Sequence, residues 1–550
     1  MTRRTVPILA AVAVLAIGPL YIAARHAHAA AAPIRKQTIR LAMRDGVHLA
    51  TDLYLPAAPG HYPTLVIRTP YNKEGMVALG EASAQQGYAA VIQDTRGRFA
   101  SEGEKLPWIG DGWTGHTDGV ETLAWVAHQP WCDGKIGTLG GSALGINQLL
   151  TAGSGTPYIT CQHISVATPD LYLGLVYPGG VLKKALVEGW LQSTQHSPQA
   201  LKIWVSHPDY DSYWENYDLT TRWNKVNYPA VHIGGWFDLF TQGTIDSFTG
   251  YQEHGGPKAR GAQKLVMGPW THGFGSDRAG ELTFPNGGKP PTHYNDAGTW
   301  FNHYLKGMDN GVDREPAVTY YVMGDVTNPH APGNVWRTAS SWPPPSRLTR
   351  FYLHGDRSLS PAPPETDRPL GYTYNPANPV PTLGGPQLNL PAGPMDQKRV
   401  EARPDVLVFT SPVLQKPVEV TGRVRATLSV SSDAPDTDFT AKLCDVYPDG
   451  RSFNMCEGIL RARFRNSFRR EELMKPGHVY EIPIDLTSTS VIFNKGHRIR
   501  LDVTSSSSPG YDPNPNTGEK FRSSNRTRIA HNQIHLDHLH PSYVLLPVVP

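Results

Sequence analysis

Apolar positions in residues 33–345 follow two patterns. After a hairpin pattern at 37–55, continuous apolar runs typical of fully buried strands occur at 64–67, 89–93, 135–139, 163–167, 230–234 and 264–267. Helical spacing separates several of these runs, as in 118–128, where Asp118 is the expected N-cap. Buried strands that alternate with helices predict a parallel α/β sheet.

Two regions depart from this pattern. Residues 171–227 are rich in Trp and Tyr and partly helical, and they interrupt the strand order. Alternating segments separated by Gly, Pro and Asp turns predict a β-sandwich after residue 345, and the proline-rich stretch 356–395 predicts an extended surface strap. We therefore predict an α/β domain at 33–170 and 228–345, an inserted helical cap at 171–227 and a β-sandwich domain at 346–550.

The N-terminal residues 1–32 predict a signal peptide. Two arginines precede an apolar stretch at 6–22, and small residues ending at Ala29 or Ala31 form cleavage sites. An uncleaved anchor and twin-arginine export are weaker alternatives. We expect a secreted or periplasmic protein with no stable membrane span after cleavage.

Composition excludes several classes of protein. The chain has 550 residues, of which 39% are hydrophobic and 18% charged, so it is neither disordered nor a charged tail. A formal net charge of +3 gives no reason to expect a nucleic-acid partner. No phosphate-binding glycine loop, HExxH helix or paired CxxC is present, so we expect no cofactor and no metal.

The four cysteines suggest disulfides in an exported protein. Cys444 and Cys456 flank a turn at 448–451, so a hairpin would bring them together, and we predict a disulfide here. Cys132 and Cys161 precede neighbouring strands, and their pairing is left open. Three nearby aspartates, Asp433, Asp436 and Asp438, predict a solvated turn rather than a calcium loop.

The segment 136–145 indicates a nucleophile. A buried strand ends in Gly140-Gly141-Ser142, and a helix follows, which is the arrangement that exposes a reactive serine above a sheet. The match to G-x-S-x-G is imperfect, because Leu144 occupies the second glycine position and Gly145 comes one residue later. A plain Gly-Ser turn is the alternative.

A serine nucleophile needs a base and an orienting acid, which follow it in the chain order Ser, Asp, His in this kind of fold. Asp238 and His272 each come just after a buried strand, where parallel sheets place reactive groups. These two residues are the candidates.

Several motifs, taken together in their order along the chain, resemble those of one known family. The sequence resembles the α/β-hydrolases grouped with X-prolyl dipeptidyl-peptidases, cocaine esterase, glutaryl-cephalosporin acylases and α-amino acid ester hydrolases. The motifs are Arg68-Thr69-Pro70-Tyr71, Gln93 to Arg98 with Ser101-Glu102-Gly103, Gly140 to Gly145, Gly235-Trp236-Phe237-Asp238, Gly268-Pro269-Trp270-Thr271-His272, Trp300 to Gly307 and Trp336-Arg337 with Trp342-Pro343.

The resemblance implies an α/β-hydrolase fold with a helical cap and a C-terminal jelly roll. It makes Ser142 the nucleophile, His272 the base and Asp238 the acid, with the Tyr71 phenol and the Ala143 backbone N–H as the oxyanion hole. The stretch 94–98 is expected to be structural, an arginine–carboxylate network that braces the sheet edge.

Two departures from the family pattern bear on the substrate. Ala143 stands where close relatives often carry Tyr, so the acyl pocket differs there. Leu239, Phe240 and Thr241 occupy the stretch where the amino acid ester hydrolases hold the substrate ammonium with acidic residues. An ammonium beside Leu and Phe would lack compensation, which favours an apolar or aromatic acyl group.

Three functions are consistent with this sequence. The first is a secreted serine hydrolase that cleaves small acyl esters or amides, the second an X-Pro dipeptidyl-peptidase, and the third a non-enzymatic protein whose β-sandwich binds a carbohydrate or a partner. The expected partner is a small ester or amide, and formation of a homo-oligomer stays open.

Overall fold

The computed structural model describes residues 33–550, and the predicted signal peptide lies outside them. Within the described residues, no helix has both the length and the apolar character needed to cross a membrane.

The first part of the chain forms a ten-stranded sheet in the order β1-β2-β4-β3-β5-β6-β7-β8-β11-β12. Its strands and the small hairpin β9–β10 are β1 Ile34–Ala42, β2 His48–Pro56, β3 Tyr62–Thr69, β4 Ala89–Asp94, β5 Cys132–Gly141, β6 Cys161–Ser165, β7 Ala230–Gly235, β8 Lys264–Gly268, β9 Arg278–Ala279, β10 Leu282–Thr283, β11 Val318–Val322 and β12 Val335–Ala339. The strands from β4 to β11 in this order run parallel, which confirms the predicted parallel α/β sheet.

Helices connect these strands. They are α1 Val77–Gln85, α2 Asp118–Ala127, α3 Ala143–Ala152, α4 Lys184–Ser193, α5 Pro198–Ser206, α6 Ser212–Glu215, α7 Thr241–His254 and α8 Ala297–Tyr304. The prediction of Asp118 as an N-cap is wrong, because Thr117 occupies that position. The Asp118 carboxylate instead accepts hydrogen bonds from the Arg96 guanidinium at 2.6 and 2.9 Å.

The insertion between β6 and β7 contains α4, α5 and α6. Two of these helices begin with a side-chain cap: Ser197 accepts from the Gln199 amide, and Asp211 accepts from the Tyr213 amide. Buried aromatic residues of the insertion, such as Trp214, belong to the same apolar core as residues of the sheet and of α3. The insertion is therefore packed firmly onto the α/β part.

The C-terminal part contains two antiparallel sheets that share one core. One sheet has the order β14-β13-β23-β17-β22-β15, with β20 also paired to β17, and the other has the order β16-β21-β18-β19. The elements are β13 Arg347–Leu353, β14 Leu359–Ser360, β15 Leu370–Tyr374, helix α9 Lys398–Glu401, β16 Leu407–Thr410, β17 Val418–Ser432, β18 Asp438–Val446, β19 Ser452–Arg461, β20 Tyr480–Phe493, β21 Arg498–Thr504, β22 Ala530–His535 and β23 Tyr543–Val548.

Two local predictions for this part are wrong. Part of the stretch 356–395 belongs to a sheet and is not a surface strap, because it contains β15, which pairs with β22. Asp436 and Asp438 are buried rather than solvated: Arg463 donates to the first and Arg461 to the second, at 2.8 and 2.9 Å. Burial of these carboxylates is compensated by the paired guanidinium groups.

The predicted disulfide between Cys444 and Cys456 is also wrong, since all four cysteines are buried free thiols. The register of β18 and β19 shifts at Leu443, so that Leu443 lies opposite Cys456 while Cys444 lies opposite Asn454. Neighbouring residues of a strand point to opposite faces, so the two thiols lie on different sides of the sheet. Cys161 lies opposite Gly137 rather than Cys132, which separates the second pair along the strands.

This cysteine arrangement is directly testable. We expect the denatured, non-reduced protein to take up four iodoacetamide groups by intact mass, the same number as a reduced control. Two fewer adducts in the non-reduced sample would contradict the register described here.

Candidate active site

Ser142 occupies a sharp turn between β5 and α3. Its backbone has φ 57° and ψ −129°, a conformation that few non-glycine residues adopt. The Ser142 amide donates to the Ser165 carbonyl at 3.0 Å, and the Ser142 carbonyl accepts from the Ile146 amide at 2.9 Å. These hydrogen bonds hold the turn and place the serine at a helix N-terminus.

The glycines around the serine are required by close packing. A Cβ at Gly140 would lie 2.5 Å from the Cβ of Leu144, and a Cβ at Gly145 would lie 2.7 Å from the Cβ of Ala167. The imperfect motif thus has a physical explanation: Leu144 fits because Gly140 has no side chain, and Gly145 provides the close contact with the chain after β6.

The three side chains predicted to react lie together above the carboxyl ends of β5, β7 and β8. The Ser142 Oγ is 2.9 Å from His272 Nε2, and His272 Nδ1 is 2.7 Å from Asp238 Oδ1. Asp238 is 1% exposed, and its second oxygen accepts from the Phe240 amide at 3.2 Å. The ring edge of Phe240 also packs near His272, with centroids 5.7 Å apart.

This arrangement determines what the imidazole can do. A carboxylate at Nδ1 favours the tautomer that carries its proton there, which leaves Nε2 free to accept the serine proton. The buried carboxylate would also stabilise the imidazolium formed by that transfer. The geometry therefore suits activation of a serine hydroxyl.

Tyr71 lies next to this group, after the end of β3. Its amide donates to the Thr69 hydroxyl at 3.0 Å, and the chain then turns at Asn72, where φ is 83°. Burial raises the pKa of the Tyr71 phenol, while hydrogen bonds with Trp190, with Ser142 and with the Ala143 backbone counteract part of the rise. The phenol is thus a neutral donor beside both the serine and the Ala143 amide.

A small apolar cavity opens at Ser142. It is lined by Trp108, Ser142, Ala143, Ile146, Leu175, Leu186, Val187, Trp190, Trp204, Leu239, Phe240, His272 and Leu388. None of these described residues is acidic. Leu239 and Phe240 lie in the wall as expected, whereas the Thr241 hydroxyl donates to the backbone carbonyls of Gly235 and Asp238.

Most residues that line this cavity were not predicted from the sequence. The Trp108 ring stacks on Trp190 and on Trp204, with centroid distances of 5.0 and 6.4 Å. The aromatic richness of 171–227 indicated a cap, but no periodicity identified which rings face the serine. Leu388 comes from the proline-rich stretch, which gave no signal of a contact with the site.

The stretch 94–98 braces the sheet edge in two different ways. Arg96 binds the carboxylates of Asp45 and Asp118, as predicted. Arg98 instead donates to backbone carbonyls, among them those of Pro70 and Gln195 at 3.1 and 3.2 Å. The expected arginine–carboxylate network is therefore right for Arg96 and wrong for Arg98.

Potential metal ligands lie elsewhere. Among the described residues, Glu401, Cys444 and Asp502 in the C-terminal part place one ligand atom each within 4.8 Å of one another. Arg500 already donates to Glu401 at 2.5 Å, and none of the three lines the cavity at Ser142.

Two models of known protein families match this chain. The model of the X-Pro dipeptidyl-peptidase (S15) family matches residues 45–201 and 184–274, and that of the X-Pro dipeptidyl-peptidase C-terminal non-catalytic domain matches residues 310–545. A cocaine esterase from Rhodococcus sp. (strain MB1 Bresler) is 35% identical, over 93% of this chain and 98% of its own length. The chain belongs to the S15 family of serine hydrolases.

Solved structures agree on the fold of this serine hydrolase. An aminopeptidase from a marine sediment Thaumarchaeota archaeon aligns with a TM-score of 0.80 at 24% identity, over 94% of this chain and 97% of its own. An α-amino acid ester hydrolase aligns with a TM-score of 0.79 at 24% identity, over 97% of this chain and 100% of its own. Both similarities include the α/β part and the C-terminal sheets.

The close packing at Gly145 yields a prediction. We expect Gly145→Ala to lower the thermal unfolding midpoint, because overpacking a closed site costs about 1–3 kcal/mol. This cost is larger than the roughly 1 kcal/mol by which Ala favours a helix over Gly.

Gly75→Ala is the matched control, because a Cβ there meets nothing within 4 Å. We expect its midpoint to stay within a degree or so of the wild type, since it lies away from any packed feature. A Gly145→Ala protein as stable as this control would show that the turn tolerates a side chain.

Proposed function

We propose that this serine hydrolase cleaves small acyl esters or amides through an acyl-enzyme on Ser142. The observation that supports the proposal is the continuous hydrogen-bonded chain from Ser142 through His272 to Asp238. In this proposal the inserted helices act as a cap over the site, and the C-terminal sheets have the jelly-roll topology of the family.

Acylation begins with Ser142. Its Oγ attacks the acyl carbon while His272 Nε2 takes the proton, and the C=O electrons move onto the oxygen. The Tyr71 phenol and the Ala143 N–H donate to that oxyanion. His272 then gives its proton to the leaving oxygen or nitrogen, the bond to the leaving group breaks, and the acyl group stays on Ser142.

Deacylation repeats these steps with water. His272 removes a proton from the water, the resulting hydroxide adds to the acyl carbon, and the bond to Ser142 Oγ breaks as His272 returns its proton to that oxygen. A carboxylic acid and a free Ser142 result. No cofactor is required at any step.

The wall of the cavity supports an uncharged acyl group. Leu239, Phe240 and the three tryptophans offer apolar and aromatic surface and no carboxylate. An ammonium group in this cavity would lose its hydration without gaining a charged partner, which is unfavourable in free energy. The lining therefore favours an apolar or aromatic acyl group over a charged one.

The alternative is an X-Pro dipeptidyl-peptidase, which the two matching family models favour. Such an enzyme binds a free N-terminal ammonium near the scissile bond, and the lining residues at Ser142 supply no acidic partner for it. We rank this function second for that reason. We also propose that the protein acts outside the cytoplasm, which rests on the sequence of residues 1–32 alone.

Ser142 is the first residue to test. We expect Ser142→Ala to lower kcat/KM for p-nitrophenyl acetate by about 10⁴-fold or more, as for other serine nucleophiles. A fluorophosphonate probe should add one group to the wild type, mapped to Ser142 by peptide mass spectrometry. Ser154→Ala, two residues beyond the C-terminal end of α3, is the control and should keep full activity. Ester hydrolysis that persists in Ser142→Ala would contradict the proposal.

Acyl preference is the second test. We expect the kcat/KM of p-nitrophenyl benzoate to exceed that of the phenylglycine p-nitrophenyl ester by at least about 100-fold, because the unpaired ammonium costs several kcal/mol. The N-acetyl derivative of the second ester has no charge and serves as the control, with most of the rate restored. Faster release of an X-Pro dipeptide from its p-nitroanilide than of benzoate would reverse the ranking of the two functions.

A further inference from the structure

The oxygen of Tyr71 accepts a hydrogen bond from the insertion. The indole Nε1–H of Trp190, on α4, donates to this oxygen at 3.1 Å. A phenol has a single proton to donate. Because the Trp190 N–H donates to the oxygen, the phenolic proton is left for another acceptor. Ser142 and the Ala143 backbone are the other polar groups beside the phenol.

The indole of Trp190 packs against two other rings. It stacks on Trp108 with centroids 5.0 Å apart and an interplanar angle of 9°. His196 packs nearby at 4.8 Å, and the Trp108 indole donates to the Ala143 carbonyl at 3.2 Å. The same stack thus contacts both residues expected to form the oxyanion hole.

Arg98 joins the two chain segments that meet here. Its guanidinium donates to the carbonyl of Pro70, which precedes Tyr71, and to the carbonyls of Thr194 and Gln195, which follow α4. The loop that carries Tyr71 and the helix that carries Trp190 are therefore fixed to one buried cation. Their relative position does not depend on the indole hydrogen bond alone.

We propose that Trp190 is a positioning residue of the oxyanion hole, whose indole N–H holds the Tyr71 oxygen so that the phenolic proton points to the developing oxyanion. This inference rests on the proposed function. An oxygen that already accepts a hydrogen bond is a stronger donor, because successive hydrogen bonds polarise one another. A donor fixed in advance also avoids reorganisation when negative charge develops.

A double-mutant cycle tests the inference. Trp190→Phe keeps a six-membered aromatic ring beside Trp108 and removes the N–H donor together with the rest of the five-membered ring. The control below carries the same loss of volume. We expect kcat for p-nitrophenyl acetate to fall about tenfold with KM nearly unchanged, the effect of one lost hydrogen bond. In the Tyr71→Phe background the same substitution should change kcat by less than about twofold, because its acceptor is already gone.

Trp214→Phe is the matched control. Trp214 is buried in the same insertion but does not line the cavity at Ser142, and its indole N–H donates to the His207 carbonyl at 2.9 Å. We expect its effect on kcat to be small and equal in both backgrounds. Each kcat is calculated from the concentration of active sites titrated with a fluorophosphonate, so that misfolded protein does not lower the value.

The outcomes separate this inference from the proposed function. A Trp190→Phe loss of equal size in both backgrounds would reduce Trp190 to a packing residue, and no loss at all would overturn the inference outright. If Trp190→Phe does not fold, Trp190→His is the second variant. Because its ring keeps an N–H donor, its kcat should fall clearly less than about tenfold, and a folded Trp190→His protein that loses about tenfold or more contradicts the inference. Activity that survives Ser142→Ala would instead overturn the proposed function.

Discussion

The backbone of Ser142 is the constraint on which the rest of the site depends. Its positive φ at the end of β5 turns the hydroxyl above the sheet instead of into it. That conformation is stable only because the surrounding structure enforces it, through glycines at 140 and 145 and the hydrogen bond to the Ser165 carbonyl. The parallel order of β5, β6, β7 and β8 then brings the loops with Asp238 and His272 to the same edge.

The insertion adds what the sheet lacks. Trp190 and Trp204 of the insertion contribute apolar surface to the cavity at the serine, and α4 brings an N–H donor to the Tyr71 oxygen. Excluding water strengthens the hydrogen bonds inside the cavity, because the local dielectric falls. The three side chains proposed to react thus come from the α/β part, whereas part of the apolar wall comes from residues that lie far away in the chain.

The predictable features were those with a local cause. Ser142 follows from glycines and a strand-to-helix transition, and Asp238 and His272 follow from their positions after buried strands. The unpredictable ones depend on tertiary structure. Cys444 and Cys456 are separated by a register shift that no hairpin pattern reveals. Asp118 binds a distant arginine instead of capping α2. The contact of Leu388 with the site comes from a stretch without periodicity.

A crystal structure of the fluorophosphonate adduct would test the central claim most directly. The claim is that Ser142, His272 and Asp238 act on a carbon whose oxygen lies between the Tyr71 hydroxyl and the Ala143 amide. The account predicts the phosphorus on Ser142 Oγ, with its P=O oxygen about 3 Å from both donors. An adduct whose oxygen points away from both donors, or a phosphorus on another residue, would contradict it.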